Sequence, residues 1–311
     1  MHPIAPFARE AYAAGWAWSG GPMTDRVRAG CTAAIAVAVE HADDPRILEV
    51  TLDLGKLEGL WAKLFQRREQ LAAQHAKTVH AAWRTAVTRE LLAAAVRAMH
   101  LRHTRESDEP SRDDVAAAIA AIAAALAALP NRPEWTALRQ SMRDALAAGR
   151  AEGSAGAATI AADRAGNDPP DWDTAFQNAY DALATDHSLW TDADKWLRRL
   201  LDRASTQLGR ALADQDAAGA SEEEQVDALD DETDTGDAPD FTTDWAMGAA
   251  LGAGMLAWYA RQGEVLISWV TAGGPNVCVQ CISNESGSPY PIEDFPLMPA
   301  HPNCRCIASL N

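Results

Sequence analysis

Between Thr24 and about Leu212 the chain is written largely in Ala, Leu, Arg, Glu and Gln, and no other feature limits its fold as much. These side chains lose little rotamer freedom in a helix, so the segment predicts a mainly α fold. Leu57, Leu60, Trp61, Leu64 and Leu71 recur at spacings of three, four and seven, with Lys63, Arg67, Arg68 and Glu69 largely between them. That is the apolar stripe of an amphipathic helix, expected to run to about Met99. Just before it, Ile47, Glu49, Thr51 and Asp53 alternate with Leu48, Val50, Leu52 and Leu54, the pattern of a half-buried strand.

Further along, Ser111 with Asp114 three residues later predicts an N-cap for a helix ending at Leu129, where Pro130 and Pro133 stop it. Pro133 suits the first turn of the next helix, residues 134–148, after which Gly149, Gly153 and Gly156 are expected to loosen the chain. Two more helices follow at 172–184 and 191–213, capped by Asp171 and Thr191. Trp172, Phe176, Tyr180 and Leu183 make one face of the first; Trp196, Leu197, Leu200, Leu201 and Leu208 make one face of the second. Large side chains at this spacing are read as core and not as cofactor contacts.

At 311 residues the chain exceeds one compact unit. Its net charge of -17 argues against wrapping duplex DNA by bulk electrostatics, since that binding relies on Lys and Arg displacing counterions. Met1 to Gly20 shows no cationic start ahead of an apolar run, so no signal peptide is expected. The longest apolar run, Val115 to Leu129, falls short of the roughly 20 residues that cross a bilayer, so no membrane partner is expected. Five cysteines without an export signal point to a reducing cytosol, where clustered thiols hold metal more often than they form disulfides.

Residues 214–240 hold twelve Asp and Glu and no Lys or Arg, the composition of a solvated linker. This divides the chain into a helical domain at 1–165, a helical extension at 166–213, an acidic linker at 214–240 and a C-terminal metal-binding module at 241–311. The module is expected to be small and α+β. It opens with a Gly/Ala-rich helix at 242–261, with Thr242 or Thr243 as N-cap, and Gly248, Gly252 and Gly254 permit another backbone to approach. Residues 252–257 match a dinucleotide fingerprint formally, but inside a helix the match is rejected. A strand at 265–271 and a turn at Gly273-Gly274-Pro275-Asn276 lead into the cysteines.

The strongest chemical signal is Cys278-Val-Gln-Cys281, nineteen residues, then His301-Pro-Asn-Cys304-Arg-Cys306. A C-x-x-C turn aims two sulfurs at one point and a second pair completes a tetrahedron around zinc. Cys278, Cys281, His301 and Cys304 are the favoured set, with Cys306 replacing His301 or Cys304 as the alternative. Only about seventy residues follow the acidic run, and a unit so small needs a staple. Pro289, Pro291, Pro296 and Pro299 predict an ordered but non-regular loop between the two halves. Two other readings compete, a disulfide or plain thiol cluster and catalysis. Against catalysis, H-E-x-x-H is absent and no histidine begins the H-x-E of the zinc deaminases. Neither a Walker A loop nor a G-x-S-x-G elbow is present. His75, His80, His100 and His103 are expected on solvated helix faces.

Trp269-Val-Thr-Ala-Gly, Val277-Cys-Val-Gln-Cys281, a Gly- and Pro-containing spacer and Pro299-Ala-His-Pro-Asn-Cys-Arg-Cys306 together resemble the C-terminal signature of the Mu F-like minor head proteins of tailed phages. Leu256-Ala-Trp-Tyr259 and Gly263 fit the usual lead-in; Gly273 to Asn276 depart from it where an acidic residue often stands. It implies a non-enzymatic minor head protein of the procapsid, at or near the portal, with roles in head assembly and DNA packaging or delivery. The implied partners are the portal protein, major capsid or scaffold proteins and, locally, phage double-stranded DNA. The implied locations are the virion head interior and the host cytoplasm during assembly. The alternatives are a zinc-ribbon module that binds nucleic acid and a metallohydrolase.

Overall fold

A computed structural model describes residues 45–100, 112–264, 266–271, 277–300, 304 and 306–310, with side chains of the first helix from Gly59 onward except Trp61. Helices dominate: α1 Pro45–Ala86, α2 Arg89–His100, α3 Arg112–Leu126, α4 Glu134–Arg164, α5 Trp172–Ala182, α6 Ser188–Ala217, α7 Glu222–Thr235 and α8 Ala238–Arg261. A small C-terminal part follows with β1 Leu266–Val270, α9 Val279–Ser286, β2 Tyr290–Pro291 and β3 Ile307–Leu310. The mainly α reading with a small α+β C-terminal part therefore holds. The strand expected at 47–54 does not, because those residues open α1. The helix expected to reach Met99 is two helices, broken between Ala86 and Arg89.

One core joins α2, α3, α4, α6, α7 and α8 through Leu92, Ile122, Leu138, Met142, Leu197, Leu200, Leu229 and Ala246. A second joins α1, α4 and α8 to the sheet through Leu64, Ile160, Met255, Tyr259, Trp269 and Ile307. Helix α8 belongs to both. The glycines expected to loosen the chain after residue 148 lie inside α4, where Gly149 and Gly153 let α8 approach and Gly156 receives Leu64 of α1. A Cβ on Gly153 would stand 2.0 Å from the Leu251 carbonyl oxygen, and one on Gly254 would stand 2.1 Å from that of Arg150. Backbone meets backbone there, and Ser154 Oγ donates to the Gly254 carbonyl at 3.2 Å.

The acidic segment is the main correction. It is the end of α6, the whole of α7 and the start of α8, not a solvated linker. Ser221 caps α7 in a reciprocal box with Glu224, and Gln225, Val226, Leu229 and Thr233 are buried along one side. The outer carboxylates meet arginines of α1 and α2: Asp234 pairs with Arg84, Asp227 with Arg89, and Glu222 with Arg97. Charge that looked unpaired in one window of sequence is thus matched across more than a hundred residues. The expected boundary at 214–240 marks no gap in the packing, because α8 lies on α4 and α1.

Smaller points follow. Asp171 caps α5 as expected, accepting from Thr174 N at 2.9 Å, whereas α6 starts earlier than Thr191, at Ser188. Thr242 and Thr243 are buried within α8, which begins at Ala238. The expected caps at Ser111 and the turn at Gly273 to Asn276 lie outside the described residues, as does His103. His80 and His100 are not merely solvated, facing Asp240 at 3.3 Å and Asp216 at 3.7 Å. Burial pushes the pKa of His75 down. One stretch, Arg112–Asn131, is long and apolar enough to cross a membrane by length and composition. Within it Ala118, Ala121, Ile122 and Leu126 are buried in the protein.

Two substitutions test this packing. Gly153→Ala forces α4 and α8 apart and is expected to cost about 1–3 kcal/mol, whereas Gly59→Ala, with open space around it, gains roughly 0.5–1 kcal/mol of helix propensity. Urea unfolding of the two variants beside the parent measures both. Leu229→Ala is expected to lose about 2–4 kcal/mol in the same assay, where a residue of a solvated linker would lose nothing measurable.

Candidate metal centre

The C-terminal strands stand on α8. Its glycines serve a second face here: a Cβ on Gly252 would meet Met298 at 3.0 Å, and one on Gly248 would meet Pro299 and the buried Arg68 at 3.3 Å. The loop that carries the second pair of cysteines can therefore lie down on the helix. The sheet order is β2-β1-β3, all antiparallel, with Trp269 opposite Ala308 and Val270 opposite Ile307. Cys304 and Cys306 immediately precede β3, so pairing with β1 fixes where they emerge.

The C-x-x-C turn is the first turn of α9. Cys278 is its N-cap, and Cys278 Sγ accepts a hydrogen bond from Cys281 N at 3.3 Å. N-cap and third helical residue share one side of a helix start, so the spacing brings both sulfurs together. Helix α9 is in turn tied to the sheet. The Glu285 carboxylate accepts from Thr271 N at 3.0 Å and Thr271 Oγ1 at 2.9 Å. Ser288 Oγ accepts from Trp269 N at 2.7 Å, and Tyr290 Oη donates to the Asn284 carbonyl at 2.7 Å. Phe295 stacks on Trp269, centroids 5.7 Å apart. The loop between the cysteine pairs, expected to be non-regular, thus contains α9, β2 and a turn of 3-10 helix at Ile292–Asp294.

The sulfurs of Cys281, Cys304 and Cys306 all lie within 4.8 Å of one another, and all three residues are buried. Cys281 Sγ and Cys304 Sγ are 3.6 Å apart. That is far beyond the roughly 2.05 Å of a disulfide, and none of the four described cysteines is bridged. Zinc–sulfur bonds of about 2.3 Å at tetrahedral angles place sulfurs about 3.8 Å apart, so the spacing suits a metal ion. Cys278, half-buried, caps α9 beside Cys281, but its sulfur is not one of the three that lie within 4.8 Å of one another. Cys306, held as an alternative ligand from the sequence, belongs to the central trio. His301 lies outside the described residues, as does the fifth cysteine, Cys31.

The protons of the trio are unevenly held. The hydrogen bond from the Cys306 thiol lowers the Cys304 pKa to about 5, helped by the backbone N–H groups of Cys306 and Ala300. Burial pushes Cys281 up to about 12. Cys306 is pushed up as well, because its proton serves Cys304, and burial adds to this. One thiolate is stable among these sulfurs, and further ones need a cation beside them. Buried soft donors that cannot all ionise alone are a fitting set for a thiophilic metal.

The ties from Glu285 to Thr271 and from Ser288 to Trp269 had no signal in the sequence, since the partners are 14 and 19 residues apart with no shared motif. Comparison with protein-family models, with curated proteins and with solved structures found no match.

Metal affinity should depend steeply on pH. Near neutrality the trio carries about one thiolate, so closing around a divalent ion expels about two protons from it, and affinity should fall at least about a hundredfold per pH unit as pH drops. Competition with a chromophoric chelator at three pH values between about 6 and 8 reads the slope. A flat profile would show that these thiols are not the ligands.

Proposed function

We propose that the four C-terminal cysteines, with His301 available to the set, hold one zinc ion as a closed structural staple, and that the chain is a minor head protein of a tailed phage. On this reading it acts in procapsid assembly at or near the portal and in DNA packaging or delivery, with portal, capsid or scaffold proteins as partners and no catalysis of its own. The observation that carries the staple is the burial of three sulfurs at metal-binding distance on a platform made by α8 and the sheet. A catalytic zinc keeps one position open to water, whereas Cys281, Cys304 and Cys306 are all buried and belong to the core cluster that holds Trp269 and Met298. The phage role rests on the resemblance of residues 256–306 to the Mu F-like signature.

Cys281→Ser is expected to abolish zinc content, read by elemental analysis, and to loosen the segment after Glu264. Helicity should fall little, because α8 is held by α4 and α1 whether or not the ion is bound. Particles assembled with this variant should lack the protein or be defective in DNA content or delivery. Asn284→Ala and Glu285→Gln, which spare the sulfurs, should keep zinc and infectivity. Loss of infectivity in either, with full incorporation and retained zinc, would point to an enzyme instead.

A further inference from the structure

Helices α5 and α8 both lie on α4 but make few contacts with each other, which leaves a trough of about 730 Å³ above α4. Each helix turns one stripe into it: Ser154 and Ala158 from α4, Ala175 and Ala179 from α5, Ala253 and Ala257 from α8. The Ser154 hydroxyl is already bonded to the Gly254 carbonyl, so the floor is effectively apolar. Trp258 forms part of one wall. Two arginines reach the trough. Arg150 is engaged by Asp186 and Asp192, at 2.9 and 2.5 Å, while exposed Arg261 has no ion pair or hydrogen bond among the described residues.

The volume alone would admit a small molecule, but alanines line three sides, and of the polar side chains that line the trough Arg150 and Asp186 are paired with each other, which leaves Asn178 and Arg261 to orient one. Three helices with an open seam between two of them leave the place of a fourth helix. The protein carries a helix of matching character. Helix α3 buries Ile122 and Leu126, and exposes Ala116, Ala120, Ala123 and Ala124 on the other side. From Val115 to its end at Leu126 it has no polar side chain, and exposed Asp113 stands in its first turn. Alanine faces let helix axes come to the short end of the usual 8–10 Å. On a chain of net charge -17, an uncharged ridge and a trough ending in an arginine with no ion pair among the described residues are surfaces where copies meet without repulsion.

We propose that α3 of one copy lies in the α4–α5–α8 trough of another, with Asp113 toward Arg261. The ridge and the trough are different patches, so the contact is heterologous and repeats head to tail into a ring or filament. It does not depend on the metal or on the phage reading.

The test uses the full-length protein in sedimentation velocity from about 1 to 100 µM, the range of small interfaces. The parent should associate as concentration rises. Ala257→Glu spoils the trough and Ala123→Glu spoils the ridge, both at exposed positions, and each alone should weaken association at least about tenfold while circular dichroism stays unchanged. Mixed in equal amounts, the two variants retain one good trough and one good ridge, so they should form a dimer and stop there. Arg261→Asp should weaken association and Asp113→Arg in the same chain should restore it. A parent that stays monomeric overturns the proposal, as does association indifferent to both variants or a mixture that fails to dimerise. Binding of the monomeric parent to phosphatidylcholine vesicles, lost in Ala123→Glu, would also overturn it and assign the ridge to lipid.

Discussion

The contact of α4 with α8, backbone against backbone, is what the remainder of the chain leans on. Gly149, Gly153 and Gly254 lack the side-chain atoms that would hold the two helices apart. Once they meet, α8 sits in the middle of the protein and its other glycines receive the loop at Met298 and Pro299. The cysteine cluster is therefore built on a core helix and not on an appended module. An ion held there would have to organise only the strands, α9 and the connecting loop, a smaller task than folding seventy residues outright.

A second constraint is electrostatic. Glu152 is fully buried in α4, accepting from Arg67 Nε and Trp172 Nε1, both at 2.9 Å, while Arg67 also pairs with Asp173. Burial outweighs these partners and pushes the Glu152 pKa up. One carboxylate oxygen has no partner among the described residues. An apolar trio of similar volume would hold these helices at least as firmly, so the arrangement is better understood as fixing how α1, α4 and α5 are aligned than as adding stability. Lys63 and Arg67 over the Trp172 ring strengthen the same alignment.

What was legible in the sequence was local. The Asp171 cap, the C-x-x-C turn and the apolar stripes of α1 and α6 each involve residues within a few turns of one another. What was illegible depended on distant partners. Helix α7 hides four uncharged positions among acids whose charges are answered by Arg84, Arg89 and Arg97, so its own window reads as a solvated run. The alternation at 47–54 is genuine but short, and continuity with a long amphipathic helix overrides it. Likewise Gly149 and Gly153 are breakers in isolation and contact points in context. The cysteines divided the same way: that they cluster was readable, whereas the place of Cys306 in the trio came from the pairing of β3 with β1.

Among the described residues strand β3 has β1 on one side and no strand on the other, an arrangement that ordinarily invites another chain to add on. Here Tyr259 Oη donates to the Ala308 carbonyl at 3.3 Å, and Arg164 donates to that of Leu310. Residues two apart in a strand present their carbonyls to the same edge, so these two side chains occupy acceptors that a foreign strand would need. The sheet is finished by side chains instead of by closure. Crowded copies can then gather through their helices without zipping together at their strands.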